Sequence, residues 1–181
     1  MIYFQYVGCN NLKHYIKFIL VSAVMFSGFF LSPDCQAETL LTQKVLSSTA
    51  ANRAVLAAVA ACGKNGYKVS AAVVDKSGVI QAQLRGDGAG VHTIDSSRRK
   101  AYTAVSMGSP TQVFAELVSE RPNLHALGDM NDSILLLGGG FPVKIDGQIV
   151  GGIGVGGAPG AHLDEACARA GLKALGADLY Q

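Results

Sequence analysis

The sequence contains no tryptophan and few charged residues. Charged side chains make up 15% of the 181 residues, and the formal net charge is only +2. No tract rich in lysine or arginine with interleaved aromatic residues is present. We therefore expect neither a nucleic-acid-binding protein nor a membrane-surface protein, because both concentrate positive charge on one face. Apolar residues make up 49% of the chain, which disfavours disorder and favours one sizeable core.

Several catalytic and cofactor motifs are also missing. The chain has no Gly-x-Ser-x-Gly motif and no Cys-x-x-Cys pair, so neither a hydrolase nucleophile elbow nor a zinc site is indicated. Gly152, Gly154 and Gly157 formally match the dinucleotide-binding fingerprint. That fingerprint requires a strand, a turn, a helix and a second strand with an acidic residue. Here the glycines begin inside a predicted strand and only one helix follows, so we do not predict a dinucleotide site.

The N-terminus has the pattern of an export signal. Lys13 and Lys17 precede an apolar run over residues 18–31, which is shorter than the roughly 20 residues that span a bilayer. Pro33 ends the run, and small residues stand at Cys35 and Ala37. We predict a signal peptide over residues 1–37 and a single domain over residues 38–181 in a periplasmic or secreted protein with no membrane association after cleavage. An uncleaved membrane anchor is the alternative.

Cys62 and Cys167 are the two cysteines that remain after the predicted cleavage. Both lie in apolar helical patterns, so each could be a small buried hydrophobic residue. In an oxidising compartment they could instead form a disulfide if their helices pack together. The pattern leaves both interpretations open.

The order of the predicted elements indicates an α/β (α+β) domain. Hairpins outnumber crossover connections, and Asp146-Gly147 is a strong two-residue hairpin turn. This arrangement predicts a largely antiparallel five-stranded sheet with helices packed on it. Glycines alternate with apolar residues in the last strand, so another element should approach it closely. We expect helices over 42–64, 93–107, 110–118 and 161–179, strands over 69–75, 79–85, 134–137, 141–145 and 148–155, and an irregular segment over 119–131.

His92 is the histidine placed best to bind a ligand. It follows a glycine-rich loop and precedes a helix, and loops on a rigid scaffold often carry binding groups. A neutral imidazole there could ligate iron or donate a hydrogen bond. Alternatively, His92 and Thr93 merely cap the helix. His125 is expected to be solvated, and His162 to belong to a helix N-terminus.

Arg98, Arg99 and Lys100 occupy three successive helical positions. They sweep about 200° around the helix, so they cannot all face water on one side. Arg98 lies on the same stripe as Ile94 and Ala101. It either extends past the edge of the core or binds an anion such as a carboxylate or a propionate.

Several ordered motifs together resemble the GlcG/HbpS family, which includes the C-terminal domain of PduO-type proteins. The resemblance spans about residues 41–179. It implies a profilin-like, three-layer α/β/α fold with a five-stranded antiparallel sheet, and a homo-oligomer. The motifs are Val73-Val74-Asp75-Lys76-Ser77-Gly78, Arg98-Arg99-Lys100-Ala101-Tyr102-Thr103-Ala104, Gly138-Gly139-Gly140-Phe141-Pro142-Val143 and Gly151-Gly152-Ile153-Gly154-Val155-Gly156-Gly157, with Asp164-Glu165.

The resemblance further implies an exported protein that binds haem, or another tetrapyrrole, and senses, stores or degrades it. His92 would be the group at the iron, next to Thr93, with Arg98, Arg99 or Lys100 near the propionates. One alternative is an enzyme or accessory protein that acts on a small organic acid, as in glycolate-type metabolism, with the anion near residues 156–160. Another is a non-catalytic oligomeric module that serves a sensor. Whether the protein is an enzyme stays open.

Overall fold

Residues 42–180 are the part of the chain that the structure, a computed structural model, describes, and the predicted signal peptide lies outside them. None of the helices among these residues is long and apolar enough to cross a bilayer. The elements in chain order are α1 (Ser48–Lys64), β1 (Ser70–Asp75), β2 (Ile80–Arg85), α2 (His92–Met107), α3 (Thr111–Glu120), a 3-10 helix (Pro122–Asp129), β3 (Gly140–Ile145), β4 (Gln148–Gly156) and α4 (Ala161–Leu175).

The sheet is antiparallel throughout, with strand order β2-β1-β4-β3. It has four strands within the described residues, so the predicted fifth strand over 134–137 is wrong. The backbone of this segment is bonded by side chains of α2. Thr103 Oγ1 accepts a hydrogen bond from the Leu135 N–H at 2.8 Å, and the Arg99 guanidinium donates to the Ile134 carbonyl. The Ile134 and Leu137 N–H groups bond locally, to the Asn131 and Leu135 carbonyls, so these backbone groups are paired without a neighbouring strand.

The segment predicted to be irregular, 119–131, is largely helical. Helix α3 continues to Glu120, and the 3-10 helix begins at Pro122. Proline suits the first position of a helix, because its fixed φ is already helical and the N–H that it lacks would have no partner there. The prediction of an irregular segment is therefore wrong over residues 122–129, which Pro122 begins as a helix.

Strand β1 separates two apolar clusters, because alternate side chains of a strand point to opposite faces. Ala71 and Val73 belong to the larger cluster, which contains the buried residues of α1 and α4. Ala72 and Val74 belong to a smaller cluster with Ala101 and Val105 of α2. Helices therefore cover both faces of β1.

Helix α2 packs on β4 at three alternate positions that carry no side chains, Gly152, Gly154 and Gly156. A Cβ atom added at Gly154 would lie 2.2 Å from the Ser97 carbonyl oxygen, and one at Gly152 would lie 2.3 Å from that of Ala101. Any residue other than glycine would push the helix off the strand. The expectation of a close approach at this strand is confirmed, and the approaching element is α2.

A disulfide joins Cys62 of α1 to Cys167 of α4, with their Cα atoms 5.5 Å apart. The structure therefore resolves the alternative that the sequence left open. Beside the disulfide, a Cβ atom at Gly171 would lie 3.0 Å from the Ala54 carbonyl oxygen, so the two helices are in close contact. The bond closes a loop across 105 residues and ties the first helix of the domain to the last.

The segment after α4 lies along β3. The Asp178 N–H donates to the Lys144 carbonyl at 2.9 Å, and Asp178 Oδ2 accepts from the Gly147 N–H at 3.1 Å. The Tyr180 ring packs against Phe141, with centroids 5.6 Å apart. Burial, and secondarily the Asp178 carboxylate, raises the pKa of Tyr180 to about 12. The helix predicted to reach residue 179 thus ends at Leu175, and the residues after it cover β3.

We expect the paired substitution Cys62→Ala/Cys167→Ala to lower the free energy of unfolding by about 3–5 kcal/mol, because a cross-link over a loop of this length removes much entropy from the unfolded chain. Urea unfolding followed by far-UV circular dichroism measures the change. As a control, a reductant should destabilise the parent protein and leave the alanine variant unchanged. Equal stability of the oxidised parent and the variant would contradict the prediction.

Candidate functional site

The first turn of α2 is anchored through Thr93. Its hydroxyl donates to the Gly90 carbonyl at 2.6 Å, and its oxygen lies 2.7 Å from Ser70 Oγ of β1. The side chain is buried. Thr93 therefore fixes the start of the helix to the sheet and does not face solvent.

His92, one residue earlier, lies on the outside. Its side chain is exposed, and its ring folds back over Gly90 so closely that a Cβ atom there would lie 2.6 Å from His92 Cε1. The imidazole has no hydrogen-bond partner among residues 42–180. Both ring nitrogens are therefore available for a ligand, in contrast to the buried hydroxyl of Thr93.

Two large apolar side chains next to His92 are exposed. Val91 is 74% exposed and Ile94 is 39% exposed. Residues three and four apart share a face of a helix, so Val91, Ile94 and Arg98 form one stripe. His92, Asp95 and Arg99 form the adjacent stripe. The outer surface of the N-terminal half of α2 thus combines an imidazole, apolar side chains and cations; we call it the outer face of α2.

The two arginines of this outer face are held by the segment that follows the 3-10 helix. Arg98 Nη1 donates to Ser133 Oγ at 3.0 Å, and the Arg99 guanidinium donates to the Ile134 carbonyl. Asp95 lies between them, with its Oδ1 at 2.9 Å from Arg98 Nη2 and its Oδ2 at 3.8 Å from Arg99 Nη1. Arg99 Nε is buried without a partner. Arg98 thus extends past the edge of the core. The two arginines together retain N–H groups that have no hydrogen-bond acceptor.

Lys100 lies on the opposite side of α2 from these arginines. Its side chain is 2% exposed, and its Nζ donates to Asp164 Oδ2 at 2.8 Å and to the Val155 carbonyl at 3.0 Å. The structure therefore does not bring Lys100 together with His92, Arg98 and Arg99 on one surface. A buried ammonium requires such a pairing, because an isolated charge in the protein interior is strongly unfavourable.

The Lys100–Asp164 pair joins four parts of the chain. Besides α2 and α4, it contacts the end of β4 through Val155, and a Cβ atom at Gly139 would lie 3.0 Å from Lys100 Nζ. Asp164 Oδ1 also accepts from the Ala158 N–H at 3.0 Å. The first turn of α4 thus already has a carboxylate that bonds to the loop over 156–160. An anionic ligand entering that loop would find the Ala158 N–H already paired with a carboxylate.

The partnership of Lys100 with Asp164 was not predicted from the sequence. Asp164 was named only as part of the Asp164-Glu165 motif, and Lys100 as one of three basic neighbours. The available signal was the position of Lys100 beside Ala101 and Ala104, on the face of α2 made of small, core-facing residues. A lysine on such a face needs a buried carboxylate.

The remaining polar groups do not join the outer face of α2. His125 is exposed and its Nε2 lies 3.0 Å from the Val118 carbonyl oxygen, while His162 is exposed at the start of α4. Burial raises the pKa of Glu165, an effect that the nearby Arg169 partly offsets. Within residues 42–180, no three histidine, cysteine, aspartate or glutamate side chains are grouped to hold a metal ion.

A family model described as "Haem degrading protein HbpS-like" matches residues 46–173. The chain is 33% identical over 114 residues to the protein GlcG of Escherichia coli K12, an alignment that covers 63% of this chain and 83% of GlcG. It is also 36% identical over 86 residues to an uncharacterized 15.0 kDa protein of Citrobacter freundii, covering 47% of this chain and 61% of that protein.

Two solved structures are similar over most of their length. A crystal structure of HbpS has 44% sequence identity and a TM-score of 0.70, and the match covers 76% of this chain and 95% of that one. The crystal structure of a PduOC:heme complex has 25% identity and a TM-score of 0.69, and the match covers 76% of this chain and all of that one, 100%. The second relative was thus crystallised with haem bound.

We expect Lys100→Met to lower the free energy of unfolding by about 3–5 kcal/mol, because it leaves the Asp164 carboxylate buried without its counter-charge. Urea unfolding measures this loss. The paired variant Lys100→Met/Asp164→Leu should recover most of it, since no buried charge then remains. Lys76→Met, at an exposed lysine, is the matched control and should change little. A single variant as stable as the paired one would contradict the prediction.

Proposed function

Since the chain belongs to the HbpS-like family, described as haem-degrading, we propose that it binds haem on the outer face of α2. The observation that carries this proposal is that one exposed stretch of helix combines a free imidazole, apolar side chains and two guanidinium groups. Haem has matching parts, namely an iron that an imidazole nitrogen can ligate, an apolar ring and two propionates. The family membership and the relative crystallised with haem support the same ligand.

The residues present fit this group. His92 would ligate the iron through a ring nitrogen, because its imidazole is exposed and has no partner among residues 42–180. Val91 and Ile94 would contact the ring, and Arg98 and Arg99 would bind the propionates. Each arginine side chain is 29% exposed, so its solvent-facing N–H groups are donors that a ligand oxygen could reach. When bound, haem would supply redox chemistry at its iron.

In this proposal Thr93 and Lys100 do not contact haem, because they lie on the sides of α2 that face β1 and α4. Thr93 bonds the start of α2 to β1, and Lys100 bonds its middle to α4. Both side chains are buried, so their part in binding would be to hold the outer face of α2 in position. Among the five predicted site residues, His92, Arg98 and Arg99 would then contact haem.

We further propose that the protein works outside the cytoplasm, as the export signal predicts. The Cys62–Cys167 disulfide supports this location, because such bonds form and persist in oxidising compartments. Whether bound haem is sensed, stored or degraded, and whether the protein forms a homo-oligomer, stay predictions from the family resemblance. The small-acid alternative gains no support, since Asp164 already provides a carboxylate to the loop over 156–160.

A haem titration of the purified protein tests the proposal. We expect a saturable, stoichiometric shift of the Soret band, and His92→Ala should weaken binding at least about tenfold, or about 1.4 kcal/mol, because the iron would lose its nitrogen ligand from the protein. The matched control is His162→Ala. His162 is also an exposed histidine in the first turn of a helix, with its ring folded over a preceding glycine, Gly160.

Haem affinity in the His162→Ala variant should equal that of the parent. An equal loss in both variants would reject His92 as the ligand. Absorbance that never saturates, or that grows without a fixed stoichiometry, would reject specific haem binding altogether.

A further inference from the structure

Asp95 faces the two arginines of the outer face of α2 with a single carboxylate. Its Oδ1 lies 2.9 Å from Arg98 Nη2, and its Oδ2 lies 3.8 Å from Arg99 Nη1. Its side chain is 59% exposed, whereas each arginine side chain is 29% exposed. One negative charge therefore faces two positive charges, and it reaches them from the solvent side.

The guanidinium groups do not depend on Asp95 for their positions. Arg98 Nη1 is bonded to Ser133 Oγ, and the Arg99 guanidinium is bonded to the Ile134 carbonyl. Both of these partners belong to the segment that follows the 3-10 helix, not to α2 itself. Without the Asp95 carboxylate, the two cations would keep these bonds, and their solvent-facing N–H groups would lose their acceptor.

We propose, on the basis of the proposed haem site, that the Asp95 carboxylate competes with ligand carboxylates for Arg98 and Arg99. This competition would set the affinity of the two arginines for carboxylate ligands. A ligand carboxylate must displace the Asp95 oxygens from the guanidiniums and then lie near a like charge. A ligand with one carboxylate only replaces one acceptor with another. A ligand with two carboxylates, as haem has, can give each guanidinium its own acceptor.

Asp95→Asn tests this role, because the amide keeps the shape of the side chain and removes its charge. We expect the haem dissociation constant to fall about three- to fivefold, the size that one partly exposed ion pair accounts for. Haem dimethyl ester, whose propionates carry no charge, should bind parent and variant equally. The substitution also removes a carboxylate that suits the N-terminus of α2, so stability should fall slightly while affinity rises.

The charge-matched control is Asp146→Asn. Asp146 is exposed in the turn between β3 and β4, just before β4 begins. The glycines that contact α2 lie in the last part of β4, from Gly152 to Gly156, at the other end of the strand. Asparagine suits the positive φ of 52° at Asp146. This variant should bind haem as the parent does. In the Arg98→Gln/Arg99→Gln background, Asp95→Asn should bring no gain, because the groups for which Asp95 competes are gone.

Each outcome decides the matter. A gain with haem that is absent with the ester and absent without the arginines supports the proposal. Unchanged or weaker haem binding in Asp95→Asn overturns it and leaves the proposed haem site standing, since Asp95 would then position the arginines or do nothing. An equal gain with the ester also overturns it. No Soret shift in either parent or variant rejects the proposed function and this inference with it.

Discussion

The close approach of α2 to the glycines of β4 is the constraint on which the rest of the structure depends. The backbone oxygens of Ser97 and Ala101 would lie only 2.2 and 2.3 Å from Cβ atoms added at Gly154 and Gly152. The helix therefore rests on the strand at a separation that only glycine permits. Because the inner side of α2 is fixed this closely, the residues on its outer side have a defined direction, and His92, Arg98 and Arg99 share one surface.

Helix α4 connects this contact to the opposite face of the sheet. Asp164 in its first turn bonds to Lys100 of α2, and Cys167, three residues later, bonds to Cys62 of α1. One ion pair and one disulfide thus link three helices through adjacent turns of a single one. Both ties are buried, where water and salt weaken an ion pair least. The side of α2 opposite its outer face is therefore bonded to α4, and through α4 to α1.

The elements that local patterns determine could be predicted from the sequence. The Asp146-Gly147 turn and the glycines of β4 indicated a hairpin and a close contact, and both exist. The prediction of a fifth strand was wrong because a run of leucines has no periodicity that distinguishes a strand from other buried segments. Its true partners, Arg99 and Thr103, lie more than 30 residues earlier, in a helix. The partner of Lys100 is likewise 64 residues away, and no local pattern shows such a pair.

The two sides of α2 place very different demands on evolutionary change. On the inner side, a substitution at Gly152 or Gly154 displaces a helix backbone, so strand and helix can change only together. On the outer side, exposed residues such as Val91 and Ile94 contribute little to the core, and their replacement leaves the frame intact. A lineage built on this frame can therefore exchange one ligand for another by drift on a single helical surface, while its architecture stays the same.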